Sequence, residues 1–180
     1  MFDIEVTSLW IASQVFACAG LICIVYAYQV KDKVKTLVGI GIASLFGVVS
    51  FALLGNWVVV MLVFFAAIRC FVFAHIEKRN ESGNPMNRRT SFFIMLGFML
   101  LTIIAVAIVR EWWFDWILLL ASCFLIYGNW AEGIHMIRIS GLVYAFLAII
   151  NHVIVGNLVA IIIEVFAAVS IILFYVKNKN

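Results

Sequence analysis

Apolar residues dominate the chain in seven long runs, which short polar stretches separate. The runs lie near residues 7–29, 36–54, 57–76, 91–109, 115–134, 139–156 and 158–176. Most are about 20 residues long, the length that an α-helix needs to cross about 30 Å of hydrocarbon. The pattern predicts an all-α membrane protein with seven transmembrane helices.

Composition agrees with this prediction. Of the 180 residues, 67% are hydrophobic and 12% are charged, and there is one proline, whereas a soluble domain needs far more charge on its surface. The lipid bilayer is therefore the first predicted partner. The formal charge of +3 predicts no nucleic-acid partner, because the basic residues lie at the ends of the predicted helices. The four cysteines lie in apolar runs without a CxxC pair, so we expect neither a metal nor another cofactor.

The basic residues predict the orientation of the chain. With seven spans, ten of the twelve Lys and Arg residues fall on one side of the membrane, at 30–35, 77–90, 132–138 and the C-terminus. Positive residues accumulate on the cytoplasmic side, so we expect the N-terminus outside and the C-terminus in the cytoplasm. Asp3 precedes the first run and no Lys or Arg does, which is unlike a signal peptide, so this run is expected to remain as a helix.

The chain also matches itself at a shift of 101 residues. Gly55-Asn56 falls on Gly156-Asn157, and Phe65-Ala66-Ala67 falls on Phe166-Ala167-Ala168. This predicts two parallel three-helix repeats joined by a linker helix, an arrangement of 3+1+3 helices. The predicted parts are a first repeat at 7–76, a cytoplasmic loop and linker helix at 77–109, and a second repeat at 115–176. Parallel repeats are related by an axis along the membrane normal.

Several polar residues lie inside the predicted spans. The candidate site residues are Gln14, Ser50, Arg69, Asn151, His152 and Glu164. A charged side chain inside a span costs about 2.5–3.5 kcal/mol on insertion scales, so each ionisable group needs a partner or a water-filled cavity.

Two interpretations are open for most of these groups. Glu164 shares a helix face with small residues, so we expect it to point towards other helices. It is either a neutral carboxyl bonded to Asn151 or His152, or a group on a substrate or proton path. Arg69 either extends to the cytoplasmic surface, which is the simpler interpretation, or belongs to the site. Gln14 either lines the same cavity or bonds a nearby backbone group.

Two short patterns resemble a known family. Ala67-Ile68-Arg69 resembles the Ala-x-Arg element of the YgjV-type bacterial inner-membrane proteins, and Asn151, Gly156 and Glu164 are similar to that family's closing pattern of Asn, Gly and Glu. The resemblance implies a bacterial inner membrane and a fold shared distantly with PnuC vitamin transporters and SWEETs. The SWEET Pro-Gln pair and a clear PnuC nucleoside-binding set are both missing, so neither substrate is carried over.

The leading functional hypothesis is a transporter or facilitator for a small polar metabolite, with the six candidate residues lining a site between the repeats. The alternative is a non-transporting scaffold or partner subunit, whose polar groups are all used in helix contacts and whose interior is packed solid. A homo-oligomer is compatible with either. The sequence has no HExxH or GxSxG motif, so we expect no enzyme. An intramembrane enzyme built on His152 and Glu164 is the remaining alternative.

Overall fold

The computed structural model describes residues 8–109, 113–155 and 158–178, and within these ranges all regular secondary structure is α-helical. The seven helices are α1 (Ser8–Gln29), α2 (Lys33–Leu53), α3 (Trp57–Glu81), α4 (Arg88–Val109), α5 (Asp115–Trp130), α6 (Ile134–Val155) and α7 (Leu158–Lys177). Six of these seven are long and apolar enough to cross a membrane. The exception is α5, whose 16 residues extend about 24 Å. The all-α, multi-pass architecture is confirmed, while the seventh crossing depends on this shorter helix.

Three predicted boundaries were wrong. The fifth run, placed at 115–134, ends at Trp130, and α6 begins at Ile134 rather than at residue 139. The chain breaks between them because Gly133 adopts a φ of +86°, which ends helical geometry. The polar loop expected at 77–90 is also shorter, since α3 continues to Glu81 with two basic residues in its last turn, where the helix dipole favours positive charge.

The turn between α2 and α3 forms as its sequence indicates. Gly55 has a φ of +71°, and Asn56 caps α3 by accepting a hydrogen bond from the backbone N of Val59 at 3.3 Å. The corresponding turn predicted at Gly156-Asn157 lies outside the described residues.

Side-chain contacts show which helix ends lie together. Lys33, at the start of α2, binds Glu77 near the end of α3 at 3.0 Å and the carbonyl oxygen of Ala131, just after α5, at 2.9 Å. Arg138, near the start of α6, donates to the carbonyl oxygen of Val30, just after α1. Successive helices therefore alternate in direction, and most of the basic residues gather at one end of the bundle, which we call the basic end.

Helices that are adjacent in sequence also pack together. Contacts run from α1 to α2 to α3 and from α5 to α6 to α7, and α4 packs against α3 and α5. The two groups of three helices meet where α1 contacts α7 and where α3 contacts α5.

The shift of 101 residues reappears in this structure. The ends of α1 and α5, the starts of α2 and α6, and the starts of α3 and α7 all lie 101 residues apart. The Ser50 hydroxyl donates to the carbonyl oxygen of Ser13 at 2.9 Å, and the Asn151 amide donates to the carbonyl oxygen of Phe114 at the same distance. Both residues of the second bond lie 101 positions after those of the first. These matches support the predicted repeat, while the rotation axis relating the halves stays a prediction.

Candidate functional site

A cavity of about 180 Å³ lies between the two groups of helices. Its described lining residues come from α1, α2, α3, α5, α6 and α7, and none comes from α4. The lining includes Phe51, Val59 and Ala160, each two residues from the helix end opposite the basic end. The cavity therefore extends from that opposite end into the middle of the bundle.

The lining follows the repeat. Among the described residues, α5, α6 and α7 contribute nine, and every one has a counterpart 101 residues earlier that also lines the cavity. The nine pairs are Ala17 and Leu118, Leu21 and Ser122, Ile24 and Leu125, Ala43 and Tyr144, Phe51 and His152, Val59 and Ala160, Leu62 and Ile163, Val63 and Glu164, and Ala66 and Ala167. The cavity thus lies where equivalent faces of the two halves meet.

The two halves differ in polarity at these positions. Each polar lining residue of the second half corresponds, 101 residues earlier in the sequence, to an apolar lining residue of the first half. The polar members are Ser122, Tyr144, His152 and Glu164, and their counterparts are Leu21, Ala43, Phe51 and Val63. The first half adds polar residues without a counterpart in the lining, namely Tyr28, Ser44, Ser50 and Arg69.

Arg69 does not extend to the membrane surface, so the simpler interpretation of this residue was wrong. Its side chain is buried, with 4% exposure, and lines the cavity. When the side-chain amide of Asn129 on α5 is assigned the orientation that satisfies its neighbours, its oxygen accepts a hydrogen bond from Arg69 Nε at 3.1 Å and its nitrogen donates to the carbonyl oxygen of Leu125 at 3.3 Å. Asn129 therefore supplies an acceptor at the depth of the guanidinium, which removes the need to reach the surface.

Glu164 lines the cavity and is half-buried. No hydrogen bond joins it to Asn151 or His152 among the described residues, so the predicted partners were wrong, and Asn151 instead donates to the backbone of Phe114. The hydroxyls of Tyr28 and Tyr144 are the polar groups that interact electrostatically with the Glu164 carboxyl. The cavity thus contains a carboxyl group and a guanidinium that form no ion pair with each other in the described structure.

The other candidate residues divide into two groups. Ser50 and His152 line the cavity, and their role in binding stays a prediction. Gln14 and Asn151 are absent from the described lining, and Gln14 donates to the hydroxyl of the adjacent Ser13 at 3.1 Å. Tyr28 also lines the cavity, but it was not among the predicted site residues, because tyrosines within apolar runs were counted as apolar. The signal that could have found Tyr144 was its alignment with Ala43 in the repeat.

A second cavity, of about 360 Å³, lies at the basic end. Its lining includes the ion pair between Lys33 and Glu77, together with Asn129. Both α3 and α5 line the two cavities. On α3 the lining residues of the two cavities are spaced at helical intervals and form one continuous face, made of residues 59, 62, 63, 66, 69, 73, 76, 77 and 80. The hydrogen bond between Arg69, which lines the central cavity, and Asn129, which lines the basic-end cavity, lies between the two spaces.

The chemistry available in the central cavity is hydrogen bonding and charge. Within the described ranges no group of three or more His, Cys, Asp or Glu side chains could hold a metal ion. The fold and this cavity define a multi-pass α-helical membrane protein with a partly polar interior.

Comparison with known proteins identifies the family. The bacterial inner membrane protein family Imp-YgjV matches residues 10–180, and the chain belongs to it. It is therefore a multi-pass protein of the bacterial inner membrane, as the resemblance implied. No curated protein and no solved structure matches the chain, so the distant similarity to PnuC and SWEET transporters stays a prediction.

Proposed function

We propose that this protein is a transporter or facilitator for a small polar metabolite, which binds in the central cavity between two three-helix repeats, α1–α3 and α5–α7. The observation that carries the proposal is the pairing of cavity residues at a shift of 101. In transporters built from repeats, the substrate site lies at the interface between the repeats, and the repeats rock about it. A lining that draws equivalent positions from both halves fits this arrangement.

The polarity of the site supports a polar substrate. The second half places a hydroxyl, a phenol, an imidazole and a carboxyl where the first half has aliphatic or aromatic side chains. Intramembrane ionisable residues are costly and commonly line substrate pathways. Because Glu164 lacks a bonded partner among the described residues, its polar group is available to a solute.

The route to the basic end runs between α3 and α5, in this proposal. These two helices line both cavities, and the bond between Arg69 and Asn129 closes the passage between them. The other contact between the halves, α1 against α7, is tied by Gln29, whose amide donates to the carbonyl oxygen of Ser170 at 2.7 Å. The described conformation is then open towards the end opposite the basic end.

The alternative function, a scaffold or partner subunit, predicts a solid interior, and the presence of the cavity favours transport over it. That the protein is not an enzyme stays a prediction from its sequence.

Thiol accessibility tests the transport proposal without knowledge of the substrate. A cysteine introduced at Ser122, in a variant whose four native cysteines are replaced by alanine, should react with a membrane-impermeant methanethiosulfonate reagent. The matched control is a cysteine at Ala121, which lies at the same depth but is fully buried outside the cavity. We expect Cys at position 122 to react about tenfold faster or more, because thiol reactivity requires access to solvent.

Asn129→Ala should open the inner passage and increase labelling at position 122 from the basic end. Equal, slow labelling at positions 121 and 122 in folded protein would contradict the transport proposal and favour the scaffold.

Orientation is a separate prediction of the proposal. The C-terminus is expected in the cytoplasm and the N-terminus outside, because the basic end carries most of the Lys and Arg residues. A reporter fused to the C-terminus and active only in the cytoplasm should be active, and one active only in the periplasm should be silent. The reverse result would place the basic end outside and contradict this orientation.

A further inference from the structure

We infer that the solute carries an oxyanion group, a carboxylate or a phosphate, and that Arg69 binds this group in the central cavity. The inference rests on the proposed function, because it concerns the ligand of the same cavity. Three observations support it: Arg69 lines the cavity, Asn129 fixes its guanidinium, and no described acidic side chain forms an ion pair with it.

Arg69 is the lining residue of α3 that lies nearest the basic end. Its side chain is almost completely buried within a membrane-spanning helix and still lines the cavity. The bond from Nε to the Asn129 oxygen fixes the orientation of the guanidinium. Asn129 is itself 2% exposed and is bonded to the backbone of α5, so it is a rigid support.

The described residues provide no counter-ion for this cation. The two ion pairs within the described ranges join Lys33 with Glu77 and Arg88 with Glu132, and neither includes Arg69. Asn129 is neutral, so it orients the guanidinium without cancelling its charge. The repeat aligns Arg69 with Ser170, which lies six residues beyond Glu164, or about 9 Å along α7. Glu164 therefore lies nearer the opposite end of the cavity.

A buried guanidinium without an anion is costly, and an oxyanion is the group that matches its geometry. The planar fork of N–H donors binds the two oxygens of a carboxylate or phosphate in parallel. Besides Asn129, the thiol of Cys70 hydrogen-bonds the guanidinium, and the remaining N–H donors of Arg69 are the ones assigned to the solute. Tyr28 and Tyr144 line the same cavity and interact electrostatically with both Arg69 and Glu164. A solute bound at Arg69 can therefore extend towards Glu164.

A matched set of three probes tests this inference by thermal unfolding of the purified protein in a non-ionic detergent. Lactate, lactamide and 1-amino-2-propanol share a three-carbon hydroxylated skeleton and carry a negative, no and a positive charge. Inorganic phosphate is added as a second oxyanion, and phosphatidylglycerol as an oxyanion from lipid. A ligand that binds only the folded state raises the apparent unfolding temperature, and the stabilisation grows as RT ln(1 + [L]/Kd) with its free concentration.

We expect at least one oxyanion to raise the unfolding temperature in a concentration-dependent way, whereas lactamide and 1-amino-2-propanol do not. Arg69→Gln should weaken this effect by about tenfold or more, since it removes the fork of donors. Arg89→Gln is the matched control, because it removes the same charge from an exposed position. An effect of phosphatidylglycerol alone would assign the oxyanion to lipid.

Equal stabilisation by the neutral or cationic probe, persistence of the oxyanion effect in Arg69→Gln, or no effect of any oxyanion would overturn the inference. The failure of the proposed function is distinguishable from these results. Position 122 could be as inaccessible to thiol reagents as position 121 while lactate or phosphate still stabilises the protein through Arg69. That result would support the anion site and contradict transport. If position 122 is accessible and the oxyanions have no effect, transport stands and the anion site does not.

Discussion

Replacing Gly128 by alanine is expected to destabilise the protein by about 1–3 kcal/mol, which is the usual cost of inserting a methyl group into a tightly packed interior. A Cβ at this position of α5 would overlap the side chain of Ser140 on α6 and would lie 2.9 Å from the carbonyl oxygen of Met136. The measurement is the apparent unfolding temperature of the purified variant in detergent. The matched control is Gly97→Ala on α4, where a Cβ would meet open space and should cause little change.

The repeat provides a rescue for this variant. The positions 101 residues before Gly128 and Ser140 are Ala27 and Gly39, which face each other between α1 and α2 at the same kind of close approach. In the first repeat the larger residue of the pair is Ala27 on α1, whereas in the second repeat it is Ser140 on α6. Adding Ser140→Gly to Gly128→Ala recreates the pair of the first repeat and should restore most of the lost stability.

Two results would contradict this explanation. If the double variant remains as unstable as Gly128→Ala while Ser140→Gly alone is well tolerated, then the two contacts are not equivalent, and the repeat would lose one of its structural supports. If Gly128→Ala alone is neutral, the helices separate easily at this point and the close approach does not stabilise the bundle.

The sequence was sufficient for the architecture because the signals that define it are simple and long. Runs of apolar residues predicted the helices, and six of the seven in the described structure are long enough to cross a membrane. Small residues permit close packing of α1 and α2, since a Cβ at Gly39 would lie 2.8 Å from the Cβ of Ala27. Boundaries were less predictable, because polar residues such as Lys78 and Arg79 extend α3 beyond its apolar run.

The candidate site was harder to predict, because helical periodicity identifies the face of a residue but not its bonding partner. Ser50, His152, Glu164 and Arg69 line the cavity. Asn151 lies on the predicted face, yet its amide reaches a backbone carbonyl of α5 instead of the cavity. Such a partner depends on the distance between two helices, which the residue pattern does not specify.

The burial and the bonding partners of Arg138 were also not predictable from the sequence pattern. From the distribution of basic residues, Arg138 was assigned to the groups at the cytoplasmic surface. The distribution of charge along the chain carries no information about burial. In the structure its side chain has 0% exposure. Its guanidinium donates from Nε to the carbonyl oxygen of Tyr28 at 3.2 Å and from Nη2 to that of Val30 at 2.6 Å. These carbonyls lie at the C-terminal end of α1, where the last carbonyl oxygens have no N–H donor within their own helix.

Arg138→Lys is therefore expected to lower the stability by about 1.5–3 kcal/mol, the usual contribution of hydrogen bonds to a charged group. Lysine keeps the charge, but its single ammonium cannot reproduce the fork that binds the carbonyl oxygens of both Tyr28 and Val30. It also loses the stacking of the guanidinium carbon, which lies 3.4 Å from the centre of the Phe174 ring on α7. Arg138→Met should have a similar or larger effect, because it removes both bonds and leaves Val30 only the longer bond from the Thr36 hydroxyl at 3.3 Å.

The apparent unfolding temperature in detergent checks this prediction, and hydrogen exchange at the end of α1 locates the loss. Arg89→Lys and Arg89→Met are the matched controls at an exposed position of α4, and both should be nearly neutral. If Arg138→Lys unfolds at the temperature of the unchanged protein, charge alone stabilises this junction and the two carbonyl bonds contribute little. If Arg138→Met is also neutral, Arg138 does not join α6 to α1 and α7, and the basic end is held by other contacts such as the pair of Lys33 and Glu77.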